Sequence, residues 1–557
     1  MINNIVKISL IIGLILTAAK ENITKGQSHN ERVTIVGSFQ PQIGDFSKIN
    51  IEPGTEQAEF RKAELRYTFI DRMAETKTEI ENIPALVVVP DRSTDIFNNY
   101  FRFGFGSLIT PSVLFRHHSE VADRTAFSLG MRHLSTWTNI PEYAPSDFMT
   151  NSINLGLRRG TANHSFYGGI EYQNDQLRYY GFKPDDYGIT VEKDDIRQAY
   201  STIGFVAGLE SRYDDISSLH HNAVISFNRR ANRDETAENH MNLKADARKD
   251  MQLFPNQGKQ FIELGAGLDF YGYGDSLASS NSSMFTLSPA VGLSGDFFKL
   301  RAGVKFNAAF GDSSETQLAP DVSANLYLLE NALNIYATLG GGIRRNGFSM
   351  LSKENPFISP VVDLAWEKTP IDFKAGMRAA LIKNLDLHVA VYYASVEQMA
   401  LFVTDTLSVW DNTFAVVYDK VGHFAFLADA AYQLNQSVGL QGELAVNSYS
   451  PENQQRAWHK PSFTFKAGAD IRPVERLVLA ASLKFEGNRY APVWKSGLLT
   501  EHELKPWLDL NVGAEYAISE QFTVFAELNN MLGTRYERFY NYPVQGLQLF
   551  GGVSFRF

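Results

Sequence analysis

The sequence predicts an all-β fold, a transmembrane antiparallel β-barrel of about 22 strands with a short irregular N-terminal segment in the periplasm or the lumen. Three observations carry it. Strands with one apolar and one polar face recur, tight turns alternate along the chain with long polar loops, and a secretory leader stands at the start.

Residues 545–557 show the strand pattern. Phe557, Phe555, Val553, Gly551, Leu549 and Leu547 fall on one face, and Arg556, Ser554, Gly552, Phe550, Gln548 and Gly546 on the other. Alternation of this kind means a strand with a different solvent on each side. In a sandwich the apolar side meets a core, whereas in an outer-membrane barrel it meets lipid and the polar side faces a water-filled lumen. Phe550 is the large residue out of pattern. A strand that ends on a bare aromatic is typical of bacterial outer-membrane barrels. Phe555 and Phe557 are therefore the candidate barrel-closing signal, directed to the first strand and to the outer-membrane assembly machinery.

At the other end, Lys7 precedes the largely apolar run Ile8–Leu16, which ends in Thr17-Ala18-Ala19. A basic n-region, an apolar h-region and small residues at the cut make residues 1–19 a signal peptide. After Ala19 no apolar run approaches the roughly 20 residues a membrane helix needs. An exported chain held in a membrane must then cross it as a barrel, which places this one in the cell outer membrane, against outer-membrane lipid.

Composition agrees. The 557 residues include no Cys, which excludes a disulfide framework and thiol chemistry. Charged residues make up 20% and mean hydropathy is -0.21, as expected when half of each strand faces water. The 12% aromatic content suits girdles at both membrane interfaces. A net charge of -10 argues against a nucleic-acid partner. No cofactor is called for.

Residues 20–97 carry no sustained alternation, and Pro41, Pro53, Pro84 and Pro90 interrupt them. They form the expected periplasmic or lumen-occluding segment, with short extended patches at 32–36 and 86–89. From 98 to 557 the barrel follows. Phe285, Leu287, Pro289, Val291 and Leu293 lead to a turn at Gly295-Asp296, and Phe298, Leu300, Ala302, Val304 and Phe306 lead away. The same grammar turns at Glu330-Asn331, Lys383-Asn384, 435–437, 473–475 and 519–521. Residues 174–195, 346–368, 398–420, 449–459, 489–505 and 532–544 are the long loops, rich in Asp, Asn, Glu, Pro and Tyr. Short turns at one end and long loops at the other are the asymmetry of an outer-membrane barrel.

The stretch Asn529-Asn530-Met531-Leu532-Gly533-Thr534-Arg535-Tyr536, then Tyr542-Pro543, Gly546 and Phe555-Arg556-Phe557, resembles the C-terminal end of TonB-dependent receptors. Asn346 or Asn355 with Pro356-Phe357, ahead of a strand like Phe373–Leu381, is similar to another part of those barrels. The resemblance covers 98–557 and points to the Bacteroidetes type. It implies transport across the outer membrane. One departure stands out: only roughly 75 residues precede the first strand, too few for a complete plug domain. Within them Glu31, Arg32, Val33, Thr34, Ile35 and Val36 resemble a TonB box, making TonB or another outer-membrane or periplasmic protein a candidate partner.

Function divides accordingly. A pore or partly plugged channel would draw selectivity from lumen-facing candidates of both signs: Lys299, Arg301, Lys305, Lys374, Arg378, Asp470, Glu486, Asp509 and Glu515. The competing account of each is plain solvation of a watery interior. An accessory or structural subunit would instead use residues 20–97 and the long loops to bind partners. An enzyme is not expected. His117-His118, His133 and His220-His221 have acids nearby, but neighbours on a strand point to opposite faces and make a poor chelate. Gly340-Gly341-Gly342 lies in a strand and relieves crowding or allows curvature rather than cradling phosphate.

Overall fold

A computed structural model describes residues 97–557 apart from 123, 216, 256, 257, 312, 330, 331, 496 and 497. The expected leader, the lead-in as far as residue 96 with its 31–36 patch, and the Glu330-Asn331 turn lie outside the described residues. In chain order the strands are β1 (Asn99–Gly106), β2 (Thr110–Ala122), β3 (Thr125–Thr136), β4 (Phe148–Gly160), β5 (His164–Arg178), β6 (Arg197–Ser211), β7 (Leu219–Asn232) and β8 (Ala237–Asp250). They continue as β9 (Lys259–Gly274), β10 (Ser279–Ser294), β11 (Phe298–Phe310), β12 (Glu315–Leu328), β13 (Leu333–Asn346), β14 (Ala365–Ile382), β15 (Leu385–Thr404), β16 (Phe414–Asn435) and β17 (Val438–Pro451). Last come β18 (Phe463–Val474), β19 (Leu477–Glu486), β20 (Arg489–Lys495), β21 (Leu498–Leu504), β22 (Trp507–Ala517), β23 (Phe522–Asn529), β24 (Glu537–Phe539), β25 (Tyr542–Pro543) and β26 (Gln548–Arg556).

Barrel strands pair antiparallel in sequence order, with β19 passing to β22 and β23 to β26, and β26 pairs with β1, so 22 strands close on themselves. The pairs β20–β21 and β24–β25 are small hairpins inside connections. Among the described residues no helix is long and apolar enough to cross a membrane.

Alternation sorts the side chains onto two faces. Across β9, β10 and β11 the register aligns Leu268, Phe285 and Ala308 on one, and Gly267, Thr286 and Asn307 on the other. Arg230 and Glu238 lie on the polar face, and both bond the short helix Phe348–Glu354 carried by the β13–β14 connection. A connection from β13 reaches β7 and β8 only as a chord across the barrel. The polar face is therefore the inner one.

Closure depends on the seam. Tyr100 lies opposite Arg556 and Phe105 opposite Gly551, while the Asn99 and Phe557 main chains exchange hydrogen bonds of 2.9 and 3.1 Å. Phe555 pairs with Phe101 and Phe522 and stacks on Phe557 at 5.3 Å. Phe550, out of pattern in the sequence, turns inward and is 8% exposed. Gly104 makes room for it, since a Cβ there would meet the Phe550 ring at 2.5 Å. Beside it Phe525 lies 5.9 Å away, with the Arg102 guanidinium 3.7 Å over its ring. Arg102 bonds Glu515 at 3.1 Å and also Glu527.

Two expectations change. The stretches 346–368 and 398–420, expected as loops, are partly strand: β14 begins at Ala365, β15 runs to Thr404 and β16 starts at Phe414. Register shifts at Lys368/Ile371 and Val396/Met399 mark where this extension begins. Beyond it the residues no longer separate two solvents, so the alternation that identifies the lower strands is lost. The loop expected at 489–505 likewise contains β20 and β21. On the long-loop end, four connections are short: 107–109, 233–236, 275–278 and 311–314. Gly340-Gly341-Gly342 sits at a bulge against β14, where a Cβ on Gly341 would meet the Thr369 carbonyl oxygen at 2.6 Å.

The seam yields a pair of variants. A Cβ on Gly552 would fall onto the Phe103 carbonyl oxygen and 2.7 Å from Gly104 Cα, whereas one on Gly551 meets nothing closer than 3.4 Å. Gly552→Val is expected to cost more than the about 1–3 kcal/mol typical of overpacking, because backbone must move. It should abolish the folded, heat-modifiable band in unboiled electrophoresis, while Gly551→Ala keeps it.

Candidate functional site: the loop-covered mouth of the barrel

The long connections converge over one end of the barrel. The turn inward begins at Asn530, whose φ of 46° reverses the chain after β23. Its side-chain amide donates to the Thr534 and Gln545 carbonyls at 2.7 and 2.9 Å, and its main-chain N–H donates to Asn511 Oδ1 at 2.8 Å. Tyr536 then stacks on Trp507, centroids 3.9 Å apart, and donates its hydroxyl to Asp509 at 2.7 Å. These contacts deliver β24 and β25, and with them Tyr542, to the centre of the mouth.

Tyr542 is 1% exposed. Its ring stacks on Phe357 at 3.6 Å and meets Tyr180 edge-on at 4.9 Å, and its hydroxyl donates to the Asn412 carbonyl. Three further tyrosines do likewise: Tyr180 to Pro543 O (2.8 Å), Tyr179 to Ile358 O (3.0 Å) and Tyr200 to Pro356 O (2.9 Å). Loop backbone buried away from a sheet needs such donors, because an unmet carbonyl costs about 1–3 kcal/mol. Gly181 is required here, as a Cβ would run into the Tyr542 ring.

The β13–β14 connection roofs the arc of short connections. Phe348 and Leu351 are fully buried, Phe348 beside Tyr200 and Tyr273. Glu238 accepts from the Phe348 and Ser349 main-chain N–H groups at 2.8 and 3.3 Å, and Arg230 donates to Ser352 Oγ at 2.7 Å. Thr236 holds the far side through the Pro360 carbonyl at 2.8 Å.

A second fastening lies at the β20–β21 hairpin. Arg489, 3% exposed, donates to the Arg538 carbonyl at 2.6 Å and to that of Glu537. Burial raises the Glu537 carboxyl above its ordinary range. His459 sits edge-on to Phe414 at 5.5 Å, with Nδ1 3.2 Å from the Phe402 carbonyl. Burial, assisted by the nearby Arg489 charge, pushes its imidazole down to about 3.

Below the roof the inner face carries ionisable groups. Register aligns Arg378, His388, Asp429, Glu443, Lys466, Lys484 and Asp509 as one row across β14–β19 and β22. Within it His388 Nδ1 lies 2.6 Å from Asp429 and Nε2 2.7 Å from the Tyr336 hydroxyl, and Lys466 bonds Glu443 at 3.0 Å. Arg378 stands 5.6 Å over the Tyr336 ring. Arg301 bridges Glu263 (2.6 Å) and Asp321 (2.9 Å). Lys299 and Lys305 flank it on β11, and Lys374 lies opposite Tyr392. Glu486 meets Lys484 at 2.9 Å and Arg489 at 3.6 Å, Glu515 meets Arg102, and Asp470 faces Ala480.

The histidines singled out in the sequence stay local. His117 lies 2.8 Å from Asn99 Oδ1 and His133 2.7 Å from Asn151 Oδ1, on the outer face, while His118 is on the inner. Among the described residues no group of His, Asp and Glu could hold a metal ion. The roof residues Tyr180, Tyr200, Phe357, His459, Arg489 and Tyr542 were missed as a site. Two of them stand in motifs the sequence does show, Asn355-Pro356-Phe357 and Tyr542-Pro543, and the structure stacks one against the other.

His459 makes the roof acid-sensitive. Its folded pKa lies below the unfolded value of about 6.5, so above that both states are neutral. Between about 6.5 and 3 the unfolded loop takes a proton that the folded one refuses, and stability falls as pH drops through that window. Limited proteolysis of the 452–462 connection should quicken by about tenfold or more from pH 7 to 4.5. His459→Gln should flatten that dependence, and equal protection of the wild type at both pH values would refute the assignment.

No protein-family model matches the sequence, and no curated protein matches it. Solved structures do. The pyoverdine outer membrane receptor FpvA from Pseudomonas aeruginosa PAO1 superposes with a TM-score of 0.63 at 11% identity, over 84% of this chain and 79% of that one. The ferric-catecholate import receptor Fiu from E. coli K12 gives 0.63 at 10% identity, over 83% and 82%. The siderophore receptor PirA from Acinetobacter baumannii gives 0.64 at 9%, over 84% and 81%. At these identities the likeness is one of fold. The chain has the 22-stranded barrel of such receptors, in keeping with its resemblance to TonB-dependent receptors.

Proposed function

We propose that this protein is an outer-membrane transport barrel of the TonB-dependent-receptor type, a pore or partly plugged channel rather than an enzyme. The observation that carries the reading is a closed barrel with a two-signed polar inner face beneath a roof of interlocked loops. In this reading residues 1–19 export the chain and residues 98–557 cross the outer membrane. Lys299, Arg301, Lys305, Lys374, Arg378, Asp470, Glu486, Asp509 and Glu515 line the solute path, and residues 20–97 occupy the lumen or the periplasm below it. Glu31–Val36 would engage TonB as an added strand, which draws its affinity from main-chain hydrogen bonds. The receptors of like fold support transport of a solute but do not name one for this chain.

A second reading, an accessory subunit of an outer-membrane complex, is favoured by the tip of the β15–β16 connection. There Leu407 and Val409 are 90% and 80% exposed beside Trp410, apolar side chains left open at the tip of a connection.

Two measurements test the transport reading. In planar bilayers, deleting residues 20–97 should raise single-channel conductance several-fold over the full chain, and unchanged conductance would remove that segment from the lumen. Val33→Pro takes away a ladder donor. It should abolish energy-dependent uptake while leaving conductance alone.

A further inference from the structure

At the end opposite the roof, the connection between β8 and β9 turns outward. Register places Gln260 on the outer face, in one row with Leu293 of β10 and Leu300 of β11. A glutamine among leucines is out of place there, yet it is only 5% exposed. What covers it is the connection itself. Its amide oxygen accepts from the Leu253 and Phe254 main-chain N–H groups at 2.9 and 2.8 Å, and its amide nitrogen donates to the Phe254 carbonyl at 2.7 Å. A main chain bonded to an outward side chain lies on the outside of the wall. Met251, whose N–H donates to the Gln260 carbonyl at 2.9 Å, begins this course on the same face. The return limb passes Gly258, at φ 55°, where a Cβ would meet the Ser294 carbonyl oxygen at 2.6 Å and the Leu293 side chain at 3.4 Å.

The connection presents an apolar tip. Met251, Leu253 and Phe254 are all exposed, Phe254 the most at 62%, beside the exposed wall residues Ile262 and Leu300. Residues 251–258 contain no Asp, Glu, Lys or Arg. The β6–β7 connection at the same end is the contrast, with Arg212, Asp214 and Asp215 all exposed. A turn standing in water leaves its peptide groups to the solvent, whereas one in hydrocarbon must satisfy them within the protein. Gln260 does this for three of them with a single side chain, since its amide offers both an acceptor and donors. The same amide left unbonded on the lipid side would be costly. The polar clamp and the apolar tip therefore select the same surroundings.

We propose that the β8–β9 connection is an in-plane membrane anchor. Met251, Leu253 and Phe254 enter the periplasmic leaflet at the boundary of headgroups and acyl chains, and Gln260 holds them there. This rests on the membrane-spanning reading of the barrel but not on transport. The tip continues the lipid-facing wall, because the row of Leu293 and Leu300 runs directly into the residue that clamps it. Elements that lie in this boundary bury their apolar side about 5–10 Å deep. A barrel wall shifts along the membrane normal at modest cost, so such a foot fixes the height of β8–β11 in the bilayer.

The test uses the full chain, which has no native Cys, reconstituted in dioleoylphosphatidylcholine vesicles. Single nitroxide labels at Phe254→Cys, Leu264→Cys and Asp214→Cys are compared by their accessibility to oxygen and to a water-soluble nickel chelate. The label at 264, on the outer wall, should favour oxygen and the one at 214 nickel, while the label at 254 should lie about 5–10 Å below the phosphates. Gln260→Leu keeps the outer row apolar and the heat-modifiable band intact. It should shift the label at 254 several-fold toward nickel, as the freed peptide groups move to water. A label at 254 that favours nickel while that at 264 favours oxygen would overturn the anchor alone, and nickel access at both would overturn the membrane-spanning reading with it. Shielding of the label at 254 from both reagents, as between two copies of the chain, or a depth that Gln260→Leu leaves unchanged would also overturn the proposal. Neither uptake nor conductance is read, so the transport reading stands or falls separately.

Discussion

In hydrocarbon a peptide group has no partner except another peptide group, and each one left unpaired costs several kcal/mol. A single long helix meets that demand within itself, but nothing in the described chain provides one. Strands can meet it only by closing, so the whole architecture hangs on the contact between β1 and β26. That contact is made where side chains are smallest. Gly104 and Gly552 bring the two backbones together, and the space freed on the inner side is filled by Phe550. Arg102, lying over Phe525 and bonded to Glu515 and Glu527, then ties β1 to β22 and β23 on the same side. The residue that breaks the alternation of the last strand is thus part of what closes the barrel.

The same demand returns in a milder form at the mouth. There the chain leaves the sheet, folds over the lumen and buries carbonyls that have no ladder to join. Tyrosine answers this, having an apolar ring for the aromatic cluster and one hydroxyl donor at its end. Tyr179 and Tyr200 donate to carbonyls of the β13–β14 connection, Tyr180 to one between β23 and β26, and Tyr542 to one of the β15–β16 connection. The roof is therefore held by bonds between loops rather than within them. It also explains the division of labour around the rim. The arc from β7 to β12 has short connections, and the helix Phe348–Glu354 reaches over it from the neighbouring β13–β14 connection.

What could be read from the sequence follows from this physics. A strand between lipid and water must alternate, so β10, β11 and the turn between them were legible to within a few residues. Above the membrane the rule lapses, and the upper parts of β14, β15 and β16 looked like loop because both their faces meet protein or water. The Phe357–Tyr542 stack was invisible for another reason: its partners are far apart in the chain, and no period links them. Asn530 was visible as part of a motif but not as a fastener. Only the structure gives its amide two carbonyls to hold.

The inner face also constrains how any solute could be chosen. Arg301 is shared by Glu263 and Asp321, Lys466 is matched by Glu443, Lys484 by Glu486, and Arg102 by two glutamates. Where charges are answered by neighbours at 2.6–3.1 Å, the wall projects little net field into the space it encloses and steers ions of one sign only weakly. What remains is recognition at short range, through hydrogen bonds and ring faces. Ring faces are gathered in the roof, where tyrosines and phenylalanines from the β5–β6, β13–β14 and β23–β26 connections meet. On the proposed transport reading, selectivity would then fall to the loops, and the wall below them would keep the path wet.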